Sequence, residues 1–162
     1  MIKKSRIFIA GSSGLVGSTL FKKLKDYGYT NIITSKRNEL DFSNKNKTFR
    51  FLKKIKPDYV FLAAAKVGGI QANNLSPAEF LYQNLLIEMN LIHGSYQAGV
   101  KNLVFLASSC AYPGGIKKPI KEKELLNGSF EKTNEGYSIA KLAGIKLCEL
   151  YSKQYNLNYF SV

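Results

Sequence analysis

The chain has 162 residues, of which 45% are hydrophobic and 22% are charged, as is typical of one globular domain. This apolar content argues against long disorder, and no apolar run approaches the roughly 18–20 residues that cross a bilayer. The N-terminal run Ile7–Ala10 is shorter than a signal-peptide core, so we expect a cytoplasmic protein. Two cysteines and one histidine, with no Cys-x-x-Cys pattern, favour a reducing compartment and predict no metal site.

The charge is strongly basic, with 24 basic and 11 acidic residues and a net charge of +13. Most of the cations are lysines scattered in pairs along the chain, whereas base readout favours arginine. We therefore do not expect nucleic acid or a membrane as the partner, although a nucleic-acid binder stays open as an alternative. A positive field also favours an anionic small ligand.

The first part of the chain alternates short apolar runs with segments of helical period, which indicates a parallel α/β sheet. Three strands are predicted at Arg6–Ala10, Asn31–Thr34 and Tyr59–Leu62. Two helices are predicted between them, at Gly14–Tyr27 and Lys45–Ile55. Leu15, Leu20 and Leu24 are expected on the apolar side of the first helix.

A long loop, Ala63–Ser76, is expected after the third strand. Ser76, Pro77 and Glu79 predict a capping box with proline at the first helical position, and Gly99 predicts a left-handed cap after Ala98. On this helix, Asn84 and Asn90 are read either as hydrogen-bonding residues near its core face or as exposed ones.

The remaining elements are a strand, a second long loop, a helix and a last strand: Asn102–Ala107, 108–134, Glu135–Tyr155 and Asn158–Val162. The order predicts a Rossmann-type doubly wound parallel sheet over residues 1–162, a dinucleotide-binding domain. Because the sequence stops within an apolar strand, we expect that the domain is incomplete and that a C-terminal substrate domain is absent from this chain.

A glycine-rich turn follows the first predicted strand and opens the first helix, with the sequence Gly11-Ser12-Ser13-Gly14-Leu15-Val16-Gly17. Glycines at this spacing allow a sharp turn, close approach of a pyrophosphate to the backbone and close packing of the helix. The helix N-terminus then offers free N–H groups and a partial positive charge. The turn predicts a dinucleotide site.

The end of the second strand bears on the choice of cofactor. An acidic residue is usual there in NAD sites, but Thr34 is followed by Ser35, Lys36 and Arg37, and Glu39 comes later. A guanidinium is suited to a 2′-phosphate, so we favour NADP(H).

A tyrosine and a lysine, Tyr137 and Lys141, are four residues apart on the last predicted helix and share one face. A nearby ammonium lowers the pKa of a phenol, which suits proton transfer to a carbonyl while a hydride arrives at carbon. Ser108 and Cys110 follow the fourth strand, where ligands bind in open α/β sheets. From the residues alone, a buried apolar role is favoured for Cys110 over a chemical one.

With these motifs, three further segments carry a specific resemblance, namely Ala63–Asn74, Ser108–Pro113 and Thr133–Lys141. The chain resembles the extended short-chain dehydrogenase/reductases, and within them the GDP-L-fucose synthases, which convert GDP-4-keto-6-deoxymannose to GDP-L-fucose with NADPH. The resemblance implies that Tyr137 is the acid for reduction at C4, Lys141 its electrostatic partner, Ser108 a hydrogen-bond donor to the C4 oxygen, and Cys110 an acid–base group at C3 and C5.

The resemblance also implies a cofactor contact through Arg37 and a nucleotide-sugar substrate. The full set of expected cofactor contacts is Gly11, Ser12, Ser13, Gly14, Leu15, Val16, Gly17, Arg37, Asn38, Glu39, Leu40, Asp41, Ala63, Ala64, Ala65, Leu106, Ala107, Ser109, Tyr137 and Lys141. It implies a homodimer as well, joined through the long helix that begins at Pro77 and the helix that carries Tyr137.

The chain departs from that family in length, since the family's chain is roughly twice as long. The family's second epimerisation residue is a histidine beyond Val162, and His93 is expected to be structural or at the surface. Two alternatives remain: another nucleotide-sugar epimerase or dehydratase of the same fold, and a non-catalytic dinucleotide-binding module.

Overall fold

The computed structural model describes residues 1–162 as five strands, five α-helices and three short 3₁₀ turns. The strands are β1 (Ile7–Ala10), β2 (Ile32–Thr34), β3 (Tyr59–Leu62), β4 (Asn102–Phe105) and β5 (Asn158–Ser161). The helices are α1 (Leu15–Asp26), α2 (Lys45–Ile55), α3 (Ile70–Leu75), α4 (Pro77–Gln97) and α5 (Glu135–Tyr155). None of these helices combines the length and apolarity needed to span a membrane.

All five strands are parallel, in the order β2-β1-β3-β4-β5. β2 therefore lies on one side of β1 and β3 on the other, so the order in which strands are added reverses at β1. In this architecture, ligands bind at the carboxyl ends of the two strands beside that point, β1 and β3. This confirms the predicted doubly wound sheet.

The core has two layers because alternate strand residues face opposite sides of the sheet. Phe8, Leu62 and Phe105 belong to the larger layer, which lies under α2, α4 and α5. Ile7 and Ile9 face the other side, where Leu24 of α1 packs with them. Helices on both faces explain why strand β1 is buried along its whole length.

Two local predictions are wrong. The segment expected to be a loop before α4 contains α3, which Gly69 precedes and which is tied back by Asn73 Nδ2 donating to the Gly68 and Gly69 carbonyls at 3.0 and 3.1 Å. The capping box does not form: Ser76 begins α4 without a side-chain capping bond and its N–H donates to the Ala72 carbonyl, while the Glu79 carboxylate pairs with Lys66 Nζ at 2.7 Å.

Other details match the prediction. Proline occupies the start of α4, and Gly99, with φ +77°, follows its C-cap. Asn84 and Asn90 are buried and hydrogen-bonded, not exposed. His93 is a structural residue whose Nδ1 contacts the Tyr151 hydroxyl at 2.5 Å.

Candidate functional site

The turn between β1 and α1 requires glycine at two positions. Gly11 has φ +86°, and a Cβ there would lie 2.6 Å from the Ala64 backbone nitrogen. A Cβ at Gly17 would lie 2.1 Å from the Gly11 carbonyl oxygen. Gly14 caps α1 without a side-chain hydrogen bond, so no side chain competes for the N–H groups of the first turn. The turn has the features that a pyrophosphate requires.

The residues at the start of α1 are exposed around this turn. Leu15 is 87% exposed and Val16 is 55% exposed. The expectation that Leu15 lies on the apolar side of α1 is wrong, since the first turn of the helix lies beyond the end of β1. Of the three leucines, Leu20 and Leu24 pack against the sheet.

The segment after β2 presents an arginine without an acidic partner. Arg37 is exposed and takes part in none of the five salt bridges. The Glu39 carboxylate accepts from the Lys36 backbone N–H at 3.3 Å, and Asp41 Oδ1 accepts from the Ser43 N–H at 2.9 Å. Both nearby carboxylates are thus engaged with the backbone, and the guanidinium is available to an anion.

Ser35, which the motifs did not single out, carries a buried hydroxyl with no hydrogen-bond partner. It follows β2 directly, and the pairing of Ile9 with Thr34 places it level with Ala10 at the carboxyl end of β1. An unsatisfied buried hydroxyl is costly, and one beside a glycine turn suits a ligand that accepts or donates a hydrogen bond.

The small residues after β3 continue this edge of the sheet. Ala63 N–H donates to the Ala10 carbonyl at 2.9 Å, and the Gly11 turn packs on Ala63 and Ala64. Leu40, in contrast, has its side chain in the core, and the Leu106 carbonyl after β4 accepts from Lys141 Nζ. The predicted cofactor residues therefore come together along the ends of β1, β2, β3 and β4.

A cavity of about 270 Å³ lies between the loop after β3 and the start of α5. Two of the predicted catalytic residues, Cys110 and Tyr137, line it. The other lining residues are Val67, Gly68, Gly69, Ile70, Asn73 and Asn134. The cavity thus brings a thiol and a phenol to one small space.

Ser108 and Cys110 are held by a 3₁₀ turn, Ser109–Ala111, directly after β4. The Ser108 hydroxyl accepts from the Cys110 N–H at 3.2 Å. Asn134 Nδ2 lies 3.3 Å from Cys110 Sγ, and the Ser138 hydroxyl donates to Asn134 Oδ1 at 2.9 Å. The sulfur therefore faces an amide donor, and the hydrogen bond from Ser138 fixes the orientation of that amide.

Tyr137 behaves differently from the prediction. Burial raises the pKa of its hydroxyl above the usual value, and the nearby Cys110 raises it further. Hydrogen bonding by the Ser108 hydroxyl acts in the opposite direction, with a smaller effect. The expectation of a lowered pKa for this phenol is therefore wrong, and the Lys141 ammonium is already paired with another group.

That group is Glu88 on α4. Lys141 Nζ lies 3.1 Å from Glu88 Oε1 and donates to the Leu106 carbonyl at 3.1 Å. It also lies 4.5 Å from the centre of the Phe105 ring and 5.7 Å from that of Tyr137. Both members of the ion pair are buried, which is rare for charged side chains.

Sequence reasoning missed Glu88, Asn134 and Asn73. Glu88 had a usable signal: with Asn84, Leu91 and Ser95 it is spaced at four, three and four residues, so it occupies the core face of α4. A carboxylate on such a face needs a buried cation, and Lys141 is the one that reaches it. Asn134 is one helical turn before Ser138, but its contact with Cys110 Sγ is visible only in the structure.

Comparison with known proteins agrees with this arrangement. The model of the NAD dependent epimerase/dehydratase family matches residues 7–162. The chain is 49% identical over 161 residues to the GDP-L-fucose synthase of Escherichia coli K12, and 50% identical over 159 residues to the putative GDP-L-fucose synthase 2 of Arabidopsis thaliana. These alignments cover 99% and 98% of this chain but 50% and 48% of those proteins.

Among solved structures, the chain is similar to MlghC, a GDP-mannoheptose C4 reductase from Campylobacter jejuni with NADP bound. The TM-score is 0.96 and the identity 40%, over 99% of this chain and 51% of that one. The chain spans about half the length of the curated relatives it matches. The matched sequence and the parallel sheet together show that the chain belongs to the NAD dependent epimerase/dehydratase family.

Proposed function

We propose that this chain forms the cofactor-binding and reductase half of an NADPH-dependent enzyme that converts GDP-4-keto-6-deoxymannose to GDP-L-fucose. The observation that carries the proposal is that Cys110 and Tyr137 line one cavity of about 270 Å³. Reduction at C4 requires a proton donor, and inversion at the flanking carbons C3 and C5 requires an acid–base group beside it. The Cys110 thiol, which lies in the same cavity as Tyr137, can serve as such an acid–base group. A simple C4 reductase does not need one.

The residues present fit NADPH, which would supply the hydride for C4. The glycine turn would hold the pyrophosphate, and Arg37 would bind the 2′-phosphate through its unpaired guanidinium. Ala63, Ala64 and Ala65 would let the dinucleotide lie against backbone. The orphaned Ser35 hydroxyl adds a polar group at the same edge, and the NADP-bound relative described above supports the choice of cofactor.

Each predicted catalytic residue then has one task. Tyr137 would donate its proton to the C4 oxygen, and Ser108 would donate a hydrogen bond to the same oxygen. Cys110 would be one of the two acid–base groups that exchange protons at C3 and C5, which the C4 ketone acidifies; the resemblance places the other, a histidine, beyond Val162. Asn134 Nδ2 lies 3.3 Å from Cys110 Sγ and holds the sulfur in place.

A second candidate is a GDP-sugar C4 reductase without epimerisation, or another nucleotide-sugar epimerase or dehydratase of this family. The similarity to a C4 reductase is the observation in its favour. The two candidates differ in whether protons at C3 and C5 exchange with solvent. A non-catalytic dinucleotide-binding module would show neither exchange nor reduction.

Because the chain spans half of its relatives, we test the proposal in a fused protein. This protein joins the 162-residue chain to the C-terminal half of the E. coli GDP-L-fucose synthase. In it, Cys110→Ser should abolish proton exchange at C3 and C5 while NADPH is still consumed. Cys148→Ser is the matched control, since Cys148 is fully buried in the core and away from the cavity. Equal loss of exchange and reduction in Cys110→Ser would contradict the assigned roles.

We also propose that the chain forms homodimers through α4 and α5. A groove of about 450 Å³ with an apolar lining lies along these helices, and they expose Tyr82, Met89 and Leu150. Exposed apolar surface of this kind is typical of a subunit contact. Light scattering of the purified chain tests this proposal, and a monomer at all concentrations would oppose it. A cytoplasmic location stays a prediction.

A further inference from the structure

We propose that Glu88 is a positioning residue of the reductase site: its carboxylate holds the Lys141 ammonium and offsets its charge, so that Tyr137 keeps the proton it donates. This inference rests on the proposed function, in which Tyr137 acts as an acid. It adds a residue from α4 to a site built otherwise from the strand ends and α5.

The geometry places the Glu88 carboxylate against the Lys141 ammonium. Glu88 Oε1 lies 3.1 Å from Lys141 Nζ, and the two side chains are 1% and 3% exposed. Neither Glu88 oxygen accepts a well-directed hydrogen bond from any other group. The ammonium is therefore the one partner that compensates this buried charge, and it is held at a fixed position.

The surroundings keep this pair in place. A Cβ at Gly144 of α5 would lie 2.9 Å from Glu88 Oε2 and 2.5 Å from Phe105 Cζ. Because Gly144 has no side chain, Glu88 and the Phe105 ring can occupy the space between α4, α5 and β4. The same ring lies 4.5 Å from Lys141 Nζ. Packing on all sides means that the ion pair is part of the folded structure and not a surface contact.

The charged and titratable groups around the two residues are few. Cys110, Glu88 and the Lys141 ammonium surround Tyr137, and the Ser108 hydroxyl hydrogen-bonds to it. Glu88 itself faces Lys141 and the Cys148 thiol, and it lines one groove together with Lys45, His93 and Tyr151. The negative charge of Glu88 contributes to the raised pKa of Tyr137, together with burial and Cys110. Among these groups, only Glu88 is placed to cancel the effect of the lysine.

Glu88 raises the pKa of Tyr137, and a raised pKa suits the reduction of a ketone. An unpaired ammonium would stabilise the phenolate, which suits a tyrosine that accepts a proton from an alcohol. Reduction of a ketone instead needs the phenol to be protonated before each turnover. A carboxylate that offsets the charge of the lysine favours the protonated phenol, which suits a tyrosine that donates its proton to a ketone.

The test is a titration of Tyr137 in the 162-residue chain labelled with ¹³Cζ-tyrosine, with the Tyr137 signal assigned by Tyr137→Phe. Glu88→Gln should lower the pKa of Tyr137 by about one unit, because the lysine is no longer neutralised. Lys141→Met should raise it, and the double variant should return it close to the wild-type value. Glu149→Gln, which removes an exposed carboxylate of α5, is the matched control and should change nothing. The same Tyr137 pKa in wild type and Glu88→Gln would overturn the proposal.

If Glu88→Gln does not fold, the comparison of Lys141→Met with the double variant decides the question. Removal of Glu88 should lower the Tyr137 pKa in that background as well, and equal values would overturn the proposal. The titration needs neither cofactor nor substrate. Failure of the proposed function would appear separately, as a wild-type fused protein that does not reduce the keto sugar.

A kinetic readout separates positioning from a merely structural role. In the fused protein, Glu88→Gln should move the alkaline limit of keto-sugar reduction down by about one pH unit, because Tyr137 loses its proton earlier. The KM for the sugar nucleotide should stay the same. A uniform loss of rate at every pH would mean that Glu88 only supports the fold.

Discussion

Asn84 of α4 holds the backbone of Lys66 through two reciprocal hydrogen bonds. Its Oδ1 accepts from the Lys66 N–H at 2.8 Å, and its Nδ2 donates to the Lys66 carbonyl at 2.9 Å and to the Phe80 carbonyl at 2.8 Å. The fully buried Asn84 amide thus pairs with both the N–H and the carbonyl of one residue, as the backbone of a neighbouring β-strand would. This contact positions the loop that forms one wall of the cavity beside Tyr137.

Asn84→Ala should therefore weaken both the fold and the loop. The variant leaves a half-buried N–H and carbonyl of Lys66 without partners, which costs about 2 kcal/mol of unfolding free energy. Urea denaturation measures the change. Asn127→Ala, which removes an exposed amide, should cost much less. A loss for Asn84→Ala no larger than that of Asn127→Ala would show that the bonds to Lys66 do not stabilise the loop.

Arg37→Ala should reduce the preference for NADPH over NADH. The guanidinium has no acidic partner, so its loss removes a charge-assisted contact to the 2′-phosphate and leaves the rest of the site unchanged. We expect NADPH binding to weaken about tenfold or more, with little change for NADH. Fluorescence titration of the chain measures both affinities. Lys36→Ala is the control, and an equal effect of the two substitutions would point to general charge and not to a specific contact.

The two cysteines should differ in reactivity. Burial raises the pKa of the Cys148 thiol to about 12, so it stays protonated and shielded at pH 8. Cys110 lines an open cavity. A thiol reagent should modify one cysteine per native chain and two in denaturant, and Cys110→Ser should leave none in the native chain. Modification of a cysteine in native Cys110→Ser would contradict this assignment.

Glu88 should also make stability depend on pH. Burial raises the pKa of its carboxyl from 4.5 to about 7, despite the attraction of Lys141. The folded state therefore holds this proton more tightly than the unfolded state, and its contribution to stability is full below pH 4.5 and lost as the pH rises through 7. Relative to Glu88→Gln/Lys141→Met, which lacks both charges, the wild type should lose up to about 3 kcal/mol over this range. A constant difference between pH 5 and 8 would refute the raised pKa.

The sheet and most helix limits could be predicted from the sequence because they depend on local periodicity. The glycine turn was also predictable, since Gly11 and Gly17 are needed for backbone reasons that spacing alone conveys. Ser76 and Glu79 failed as a capping box because a competing partner, Lys66, comes from a loop ten residues before Ser76. Local patterns do not contain such partners.

The same reason explains what was missed at the site. The pair of Tyr137 with Lys141 was predicted, but the state of the tyrosine depends on Glu88, which is 49 residues before it in the chain. Asn134 was within the recognised segment, yet its contact with Cys110 Sγ depends on how the loop after β4 folds back. Sequence motifs thus identify residues of this site, but contacts between residues far apart in the chain determine its electrostatics.

The proposed function is tested most directly in the fused protein with GDP-4-keto-6-deoxymannose and NADPH in deuterium oxide. We expect oxidation of NADPH and a product, GDP-L-fucose, that carries deuterium at both C3 and C5. Tyr137→Phe should stop the oxidation. NADPH oxidation without deuterium at these carbons would mean a reductase without epimerisation, and a folded, NADPH-binding protein that forms no product would contradict the account.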